Sequence, residues 1–483
     1  MKKYLTKSFS LLLSFIMLVS TLSVTFSAYA ASGTGTESDP YQISTASALQ
    51  AINNNPSAHY KLTANINLSG MEFEPIGNVD SGAFTGSFDG NGFKISNLNV
   101  YSGKYAALFG YNDGLVKNVT LSSISVFGTK YIAGVVAYNG SNATLQNCSV
   151  LGGSIKSEGA ISSVYAGGIV GYNAGLIQSN GAKLENSANI DINSTTSIWS
   201  AGIIGYSSST LNLTNCKNYG SVSAYNSNSY ARAAGIVSES SKTIYLNNSD
   251  NYAEIYAHTI KDSDSTTWSG GLVSYGTVQF TECSNKGNVS SFSQKNSQSG
   301  GFVGNGTAKI SNSYNSANIS STCYNNSSYS YSGGFVGNGA LNASNSYNIG
   351  NISSFSDAYY SYYLNYPYSF SGGFVGCNSS NSNIESSFNS GNVSSSSSYF
   401  DGSYSGGFIG NGYGYVVSNS YNLGNIDAKG HSGGFTGEGS TTASNCYNAG
   451  SVHSNKSTKC TGGIAYSNRD LIKNLSLIHL WQR

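Results

Sequence analysis

The sequence predicts an all-β protein, a parallel β-helix (β-solenoid) of about eleven coils with an N-terminal cap. Three observations carry this expectation: a glycine phrase that recurs down the chain, two further apolar slots that recur with it, and the absence of helical periodicity between them. Gly134, Gly168, Gly202, Gly235, Gly271, Gly301, Gly334, Gly373, Gly407, Gly434 and Gly463 each precede an apolar residue, and all but Gly434 an apolar pair such as Ile169-Val170, Phe302-Val303 or Phe335-Val336. The spacing between them ranges from 27 to 39 residues, so a fixed unit contains a segment that stretches.

A second slot holds Val116, Leu145, Leu184, Leu213, Leu246, Phe280, Ile310, Ile384 and Val417, with Asn two residues later at Asn118, Asn147, Asn186, Asn215, Asn248, Asn312, Asn419 and others. A third holds Ile190, Val222, Ile255, Val289, Ile319, Ile352, Val393, Ile426 and Val452, with Gly or Ala two residues before nearly every one. Each unit therefore has three short β-prone runs separated by Gly or Asn, which describes one coil with three corners. Stacked coils rise ~4.8 Å each, so about eleven give a rod of roughly 50 Å. The Asn suits a left-handed corner, where its amide can reach the Asn of the next coil. The Gly before the third run suits a corner where a Cβ would clash. A β-propeller is the rival repeat fold, but it needs about 40 residues per blade and characteristic charged or Trp turns.

The ends differ from the middle. Lys2, Lys3 and Lys7 precede an apolar run from Leu11 to Val24, and Ala28 and Ala30 stand at cleavage-site spacing. Residues 1–31 read as a secretory signal peptide rather than a retained anchor, which places the mature chain outside the cell without a membrane span. Residues 32–103 read as the capping segment. It has helix-start chemistry at Ser44 to Ser47, helical spacing of Ala48, Leu49 and Ile52, and strand-like runs in "YKLTANINLSG" and "GFKISNLNV". Residues 104–466 are the repeats, and 467–483 an off-pattern tail that suggests truncation of a longer protein.

Composition narrows the function. Charged residues make up 9% of the chain and the net charge is +1, against roughly 25% charged in typical domains. Nothing points to a nucleic-acid partner, and a monomer is expected. Of the seven cysteines, Cys148, Cys216, Cys283 and Cys446 replace Ser in one slot (Ser187, Ser249, Ser313, Ser346 and Ser420 elsewhere), and read as unbridged interior residues. No cofactor or metal is expected, since no CxxC pair or Cys/His cluster is present.

The phrase "YKLTANINLSGMEFEPIGNVDSGAFTGSFDGNGFKISNLNV" followed by "AALFGYNDGLVKNVTL", with "GGIVGYNAGLI" and "GGFVGNG" later, resembles secreted bacterial surface proteins carrying the GLUG motif. The resemblance runs from Gly33 to about Tyr466. It implies a right-handed parallel β-helix on an exported protein, in some members linked to adhesion, and no catalytic residue set.

Catalytic residues are not expected. Glu72 with Glu74 and Asp80 with Asp89 belong to the cap phrase, and Asp262 with Asp264 to a loop where weak calcium binding is conceivable. His59, His258, His431, His453 and His479 are scattered. What varies between coils is the stretch after the third run, which concentrates Tyr324, Tyr329, Tyr331, Tyr359, Tyr360, Tyr362, Tyr363, Tyr366, Tyr368, Tyr399 and Tyr404. Emerging from one corner, these inserts would line one edge of the rod. Tyr amid Ser, Gly and Asn is a binding-loop composition, though such rings can also shield sheets without any ligand. The expectation is an exported, non-enzymatic surface or matrix protein whose Tyr-rich loops bind glycan or a cell-surface protein. The alternatives are a polysaccharide-active β-helix enzyme, or a rod-like spacer for a missing C-terminal domain.

Overall fold

The computed structural model describes residues 32–455, except 79–81, 161, 179–182, 262–264, 326, 359–365, 379–381 and 400, and in addition Thr461–Gly462 and Ile472–Lys473. The expected signal peptide, Asp80, Asp262, Asp264, Cys460, His479, Tyr359, Tyr360, Tyr362 and Tyr363 lie outside the described residues, as does nearly all of the tail.

The chain is a β-solenoid, and its strands pair in parallel with the coil before and the coil after. One coil runs Tyr329–Gly333, Val336–Asn338, Leu341–Ser344, Tyr347–Asn348 and Ile352–Asp357. Corresponding segments build a twelve-stranded sheet (here the tyrosine sheet, ending in the Gly phrase), a sixteen-stranded sheet (the valine sheet) and a ladder carrying the third slot (the isoleucine sheet). A six-stranded cap sheet covers the first coils. The third slot keeps register throughout: Ile190, Val222, Ile255, Val289, Ile319, Ile352, Val393, Ile426 and Val452 are successive partners. The apolar pair after the Gly phrase also forms an internal ladder. Phe302, Phe335, Phe374, Phe408 and Phe435 are fully buried, with centroids 4.8–4.9 Å apart.

Two amide ladders hold the corners. Asn118, Asn147, Asn215, Asn248, Asn312, Asn345, Asn419 and Asn445 adopt the left-handed conformation, with φ between 46° and 59°, as their slot required. Their amides bond along the rod, for instance Asn147 to Asn118 at 2.8 Å and Asn118 to Asp89 Oδ1 at 2.9 Å. Asp89 thus starts a structural ladder. A second ladder is buried: Asn186, Asn218, Asn251, Asn285, Asn315, Asn348, Asn389 and Asn422 each donate to the next at 2.7–3.0 Å, and Asn448 is the last acceptor. All of these amides but Asn285 also donate to the carbonyl two residues ahead, as Asn348 does to Gly350 at 2.8 Å. Buried amides satisfied on both sides stiffen a core that would otherwise penalise them.

That second ladder explains the glycine phrase. A Cβ on Gly334 would meet Gly373 O at 2.0 Å and Asn348 Cγ at 2.8 Å, so the backbone must pass bare beside the amide row. At the other expected corner, a Cβ on Gly350 would stand 1.9 Å from Ala317 O.

Three expectations need correction. Leu184 and Asn186 do not occupy the left-handed corner; they pair with Cys216 and Asn218, and Ile177 continues the Leu145 column. Leu184, not Ser187, stands in the Ser/Cys column, because extra residues after Ile177 lengthen that corner while Leu-x-Asn fits either frame. Secondly, a coil has more than three strands, because the Ser/Tyr stretch before the Gly phrase is itself a strand. Its Ser side chains face inward and its rings outward, reversing the usual alternation. Thirdly, the interior changes along its length. The column Ile192, Ala224, Ala257 continues as Ser291, Ser321, Ser354 and Ser395. These serines bond across the interior to the tyrosine sheet, Ser321 to Ser330 and Ser332 at 2.7 Å each and Ser395 to Ser405 at 2.7 Å.

At the N-terminal end, the helix Ala46–Gln50 is capped by Thr45, whose side chain accepts from Ala48 N at 3.2 Å, and it buries Ala48 and Leu49. Gln50 clamps it to Glu74 through two backbone bonds of 3.0 Å. The strands Tyr41–Ile43, His59–Leu62, Ser87–Asp89 and Leu115–Lys117 pair in that order, so the cap sheet is continuous with the repeats. The six described cysteines are free, and all but Cys377 are buried.

Candidate ligand-binding surface

The tyrosines expected on one loop edge are divided among three places. Tyr329, Tyr331, Tyr368 and Tyr404 lie within strands of the tyrosine sheet. Tyr366 and Tyr399 stand in the adjoining loops and stack on each other with centroids 3.9 Å apart. Tyr324 ends a strand of the isoleucine sheet, between Phe292 and Phe355 at 5.6 Å each. The inserts are shorter than expected because the inward serines hide the strand in the sequence.

The rings of the last coils form an array. Tyr331, Phe370, Tyr404 and His431 follow one another at 5.0–5.3 Å with interplanar angles of 5–11°. Tyr329 and Tyr368 make a second row beside them, 5.7 Å apart, extended by Tyr399 edge-on to Tyr368 at 6.2 Å. Parallel rings whose centres are only about 5 Å apart cannot lie side by side, so their faces overlap. Within this array Phe370, Tyr404 and His431 are buried, while Tyr329, Tyr331, Tyr366, Tyr368 and Tyr399 are partly exposed and form its accessible part. Burial raises the phenol pKa of Tyr331, Tyr368 and Tyr404, so these hydroxyls stay protonated donors at neutral pH.

The array is the end of a longer row. Tyr105, Tyr131, Tyr165, Trp199, Arg232, Trp268, Gln298, Tyr331, Phe370, Tyr404 and His431 are successive partners along the tyrosine sheet. Beside it the valine sheet carries Tyr111, Tyr138, Tyr172, Tyr206, Glu239, Tyr275, Asn305, Asn338, Cys377, Asn411 and Glu438. In the first coils the two rows interlock edge to face, as Tyr165 does on Tyr172 at 5.4 Å and 88°. In the last coils the second row is mostly amide, and the aromatic row faces Asn338 and Asn411. Sequence reasoning missed this row, although every member from Tyr131 on stands three residues before the repeated Gly.

Midway, charge interrupts the rings. Arg232 lies between Trp199 and Trp268, its guanidinium carbon 4.7 and 4.3 Å from their centroids, so it serves as a planar rung. Its Nε is 2.9 Å from Glu239 Oε2, which accepts from Trp199 Nε1 at 2.6 Å.

The remaining candidates are tied into ladders. His59 contacts Ser87 Oγ at 2.7 Å. His258 stacks between Tyr225 and Phe292 and meets the Tyr256 hydroxyl at 2.6 Å. His453 pairs with Asp427 at 3.0 Å. Among the described residues no three His, Cys, Asp or Glu side chains gather as a metal would require.

No protein-family model matches the chain, so the GLUG resemblance rests on the phrases quoted above. Over 138 residues, 25% of this chain, it is 42% identical to halomucin of Haloquadratum walsbyi, and that match covers 2% of halomucin. Over 134 residues, again 25% of this chain, it is 34% identical to a protein of Evansella cellulosilytica described as a Gly-rich membrane protein, covering 15% of it. The chain thus spans a small part of the curated relatives it matches. A crystal structure of a Bacteroides ovatus protein described as an immunoglobulin A1 protease aligns over 92% of this chain and 86% of its own, at 13% identity and a TM-score of 0.26. At that score the likeness carries no argument.

Proposed function

We propose that the protein is an exported β-helical surface or matrix protein, without catalysis of its own, that binds extracellular glycan or a cell-surface protein through the aromatic array of its last coils. The observation that carries this reading is the co-aligned set Tyr329, Tyr331, Tyr368, Phe370 and Tyr404 with the Tyr366–Tyr399 stack beside it. A comb of hydroxyls over apolar edges, facing a row of side-chain amides, suits the hydroxyl-rich surface of a glycan. The names of the two relatives, a mucin and a membrane protein, support a surface setting, as does the GLUG resemblance. The non-catalytic reading is supported by the structural employment of Asp89, His258 and His453.

Glycan-array and cell-binding measurements on the mature chain test this function. Replacing Tyr366, Tyr368 and Tyr399 together by Ser is expected to weaken binding at least tenfold while the melting temperature holds. Undiminished binding would sink the aromatic-array mechanism, and sugar release from a polysaccharide panel would overturn the non-catalytic reading.

A further inference from the structure

We propose that the Arg232–Trp268 centre is a binding site for an acidic sugar, a carboxylate-bearing unit of an extracellular polysaccharide. Three independent features of that coil lead there.

The first is that ring faces open here. Along the regular rows each ring covers its neighbour. At this coil Tyr230 and Trp268 are tilted by 33° and Trp268 and Tyr275 by 61°, and Tyr230 and Tyr275 are each 40% exposed. A pyranose ring can lie against such a face, which the stacked array denies it.

The second is a surplus of donors. Arg232 is more than nine-tenths buried, with 9% relative exposure. Its Nη1 is buried without an acceptor, and so is Trp268 Nε1 in the ring stacked on it. Buried donors left in this state are costly, most of all on a charged group. Glu239 does not satisfy the guanidinium, because its Oε2 accepts from Trp199 Nε1 and lies 2.9 Å from Arg232 Nε without serving as its hydrogen-bond acceptor. A guanidinium left in this state favours a carboxylate near it.

The third is room and charge. A depression of about 530 Å³ is lined by Glu239, Ser240, Lys242, Tyr275 and Thr277 among others, and it reaches the centre through Glu239, paired with Arg232, and Tyr275, packed on Trp268. Arg232 and Lys242 outnumber the single carboxylate of Glu239 by one positive charge, leaving one anion to be matched. The hydroxyls of Ser240 and Thr277 complement sugar hydroxyls, and the lining offers no apolar pocket for a peptide side chain. In the bound state Lys242 pairs with the sugar carboxylate at the rim, the Arg232 guanidinium behind Glu239 and Tyr275 supplies the second positive charge, and the ring lies on Tyr275.

Trp199 and Trp268 are two of the three tryptophans in the chain, so intrinsic fluorescence reports on this centre. Titration of the full chain with trigalacturonate is expected to give a saturable change that weakens as salt is added. A neutral galactose oligomer of the same length gives none, and sodium acetate at equal concentration gives at most a far weaker one. Arg232→Lys should lower the affinity at least tenfold and the exposed Lys242→Ala several-fold, with melting curves confirming the fold. If Arg232→Lys does not fold, Lys242→Ala and Trp268→Phe carry the test, the latter read by calorimetry. The proposal is overturned if trigalacturonate causes no saturable change, if the neutral oligomer or acetate matches it, or if the folded variants bind as the parent does. This site is separate from the aromatic array. Replacing Tyr366, Tyr368 and Tyr399 leaves this titration unchanged, and failure here leaves the array measurements standing.

Discussion

The Asn348 side-chain amide donates a hydrogen bond of 2.7 Å to Asn389 Oδ1 in the next coil, and it donates as well to Gly350 O at 2.8 Å. Neither amide touches water. Replacing Asn348 by Ala strands an acceptor on Asn389, a donor on Asn315 and a carbonyl at Gly350, at a cost of roughly 2–4 kcal/mol. Asn345, three residues earlier at φ 49°, stands on an exposed corner, and Asn345→Ala should cost only about 1 kcal/mol for its left-handed backbone. Denaturant melts of the two variants check this, and a reversed order would refute the assignment of the buried ladder as the stronger one.

Gly334→Ala introduces a methyl group where Gly373 O and Asn348 Cγ already stand within contact. A backbone carbonyl lies on one side and the hydrogen-bonded Asn348 amide on the other, so the coil cannot give way cheaply. Loss of soluble, protease-resistant protein is expected, whereas Gly92→Ala meets nothing within 4 Å and is opposed only by its φ of 80°. Recovery of Gly334→Ala as a native-like protein would show that the coils can separate.

The thiols of Cys148, Cys216 and Cys283 are pushed up to about 12 by burial. Since the thiolate is the reactive form, these three are expected to resist a thiol reagent at pH 8 and to react at once in denaturant. Mass-spectrometric mapping of labelled peptides reads each site, and rapid labelling of native Cys216 would contradict its place in the interior column.

His258 is held below its usual pKa because Tyr225 and Phe292 remove it from water. The unfolded chain therefore takes up this proton first. The neutral ring's contribution to stability is complete above the unfolded value of about 6.5 and declines as pH falls through it. His258→Phe should fill the same stack without that penalty. The difference in melting temperature, variant minus parent, is expected to grow between pH 7 and pH 5, and a constant difference would exclude the titration.

The sequence disclosed the ladders whose spelling is apolar. Ile352 and Phe335 announced themselves because an apolar residue at a fixed place in a repeat has little other explanation. The left-handed Asn118 column was legible for the same reason, as was the capped helix at Thr45. The strand Tyr329–Gly333 was not. Its inward positions are Ser330 and Ser332, fully buried, and its outward ones are Tyr, so binary patterning reads it inside out. The Arg232 centre was hidden differently: a single Arg in a row of rings looks like an exception until strand register puts it between two tryptophans. At Leu184 the spelling was ambiguous, and only pairing could choose the frame.

The passage from Ile192 and Ala224 to Ser321 and Ser354 along one interior column has a thermal consequence. Apolar surface raises the heat capacity on exposure and polar surface lowers it. The coils near the cap will therefore melt with a strongly curved stability profile, and the serine-filled coils with a flatter one. Warming and cooling will shift the weakest point of the rod from one end toward the other, and scanning calorimetry of the chain should resolve that gradient as a broadened, asymmetric transition.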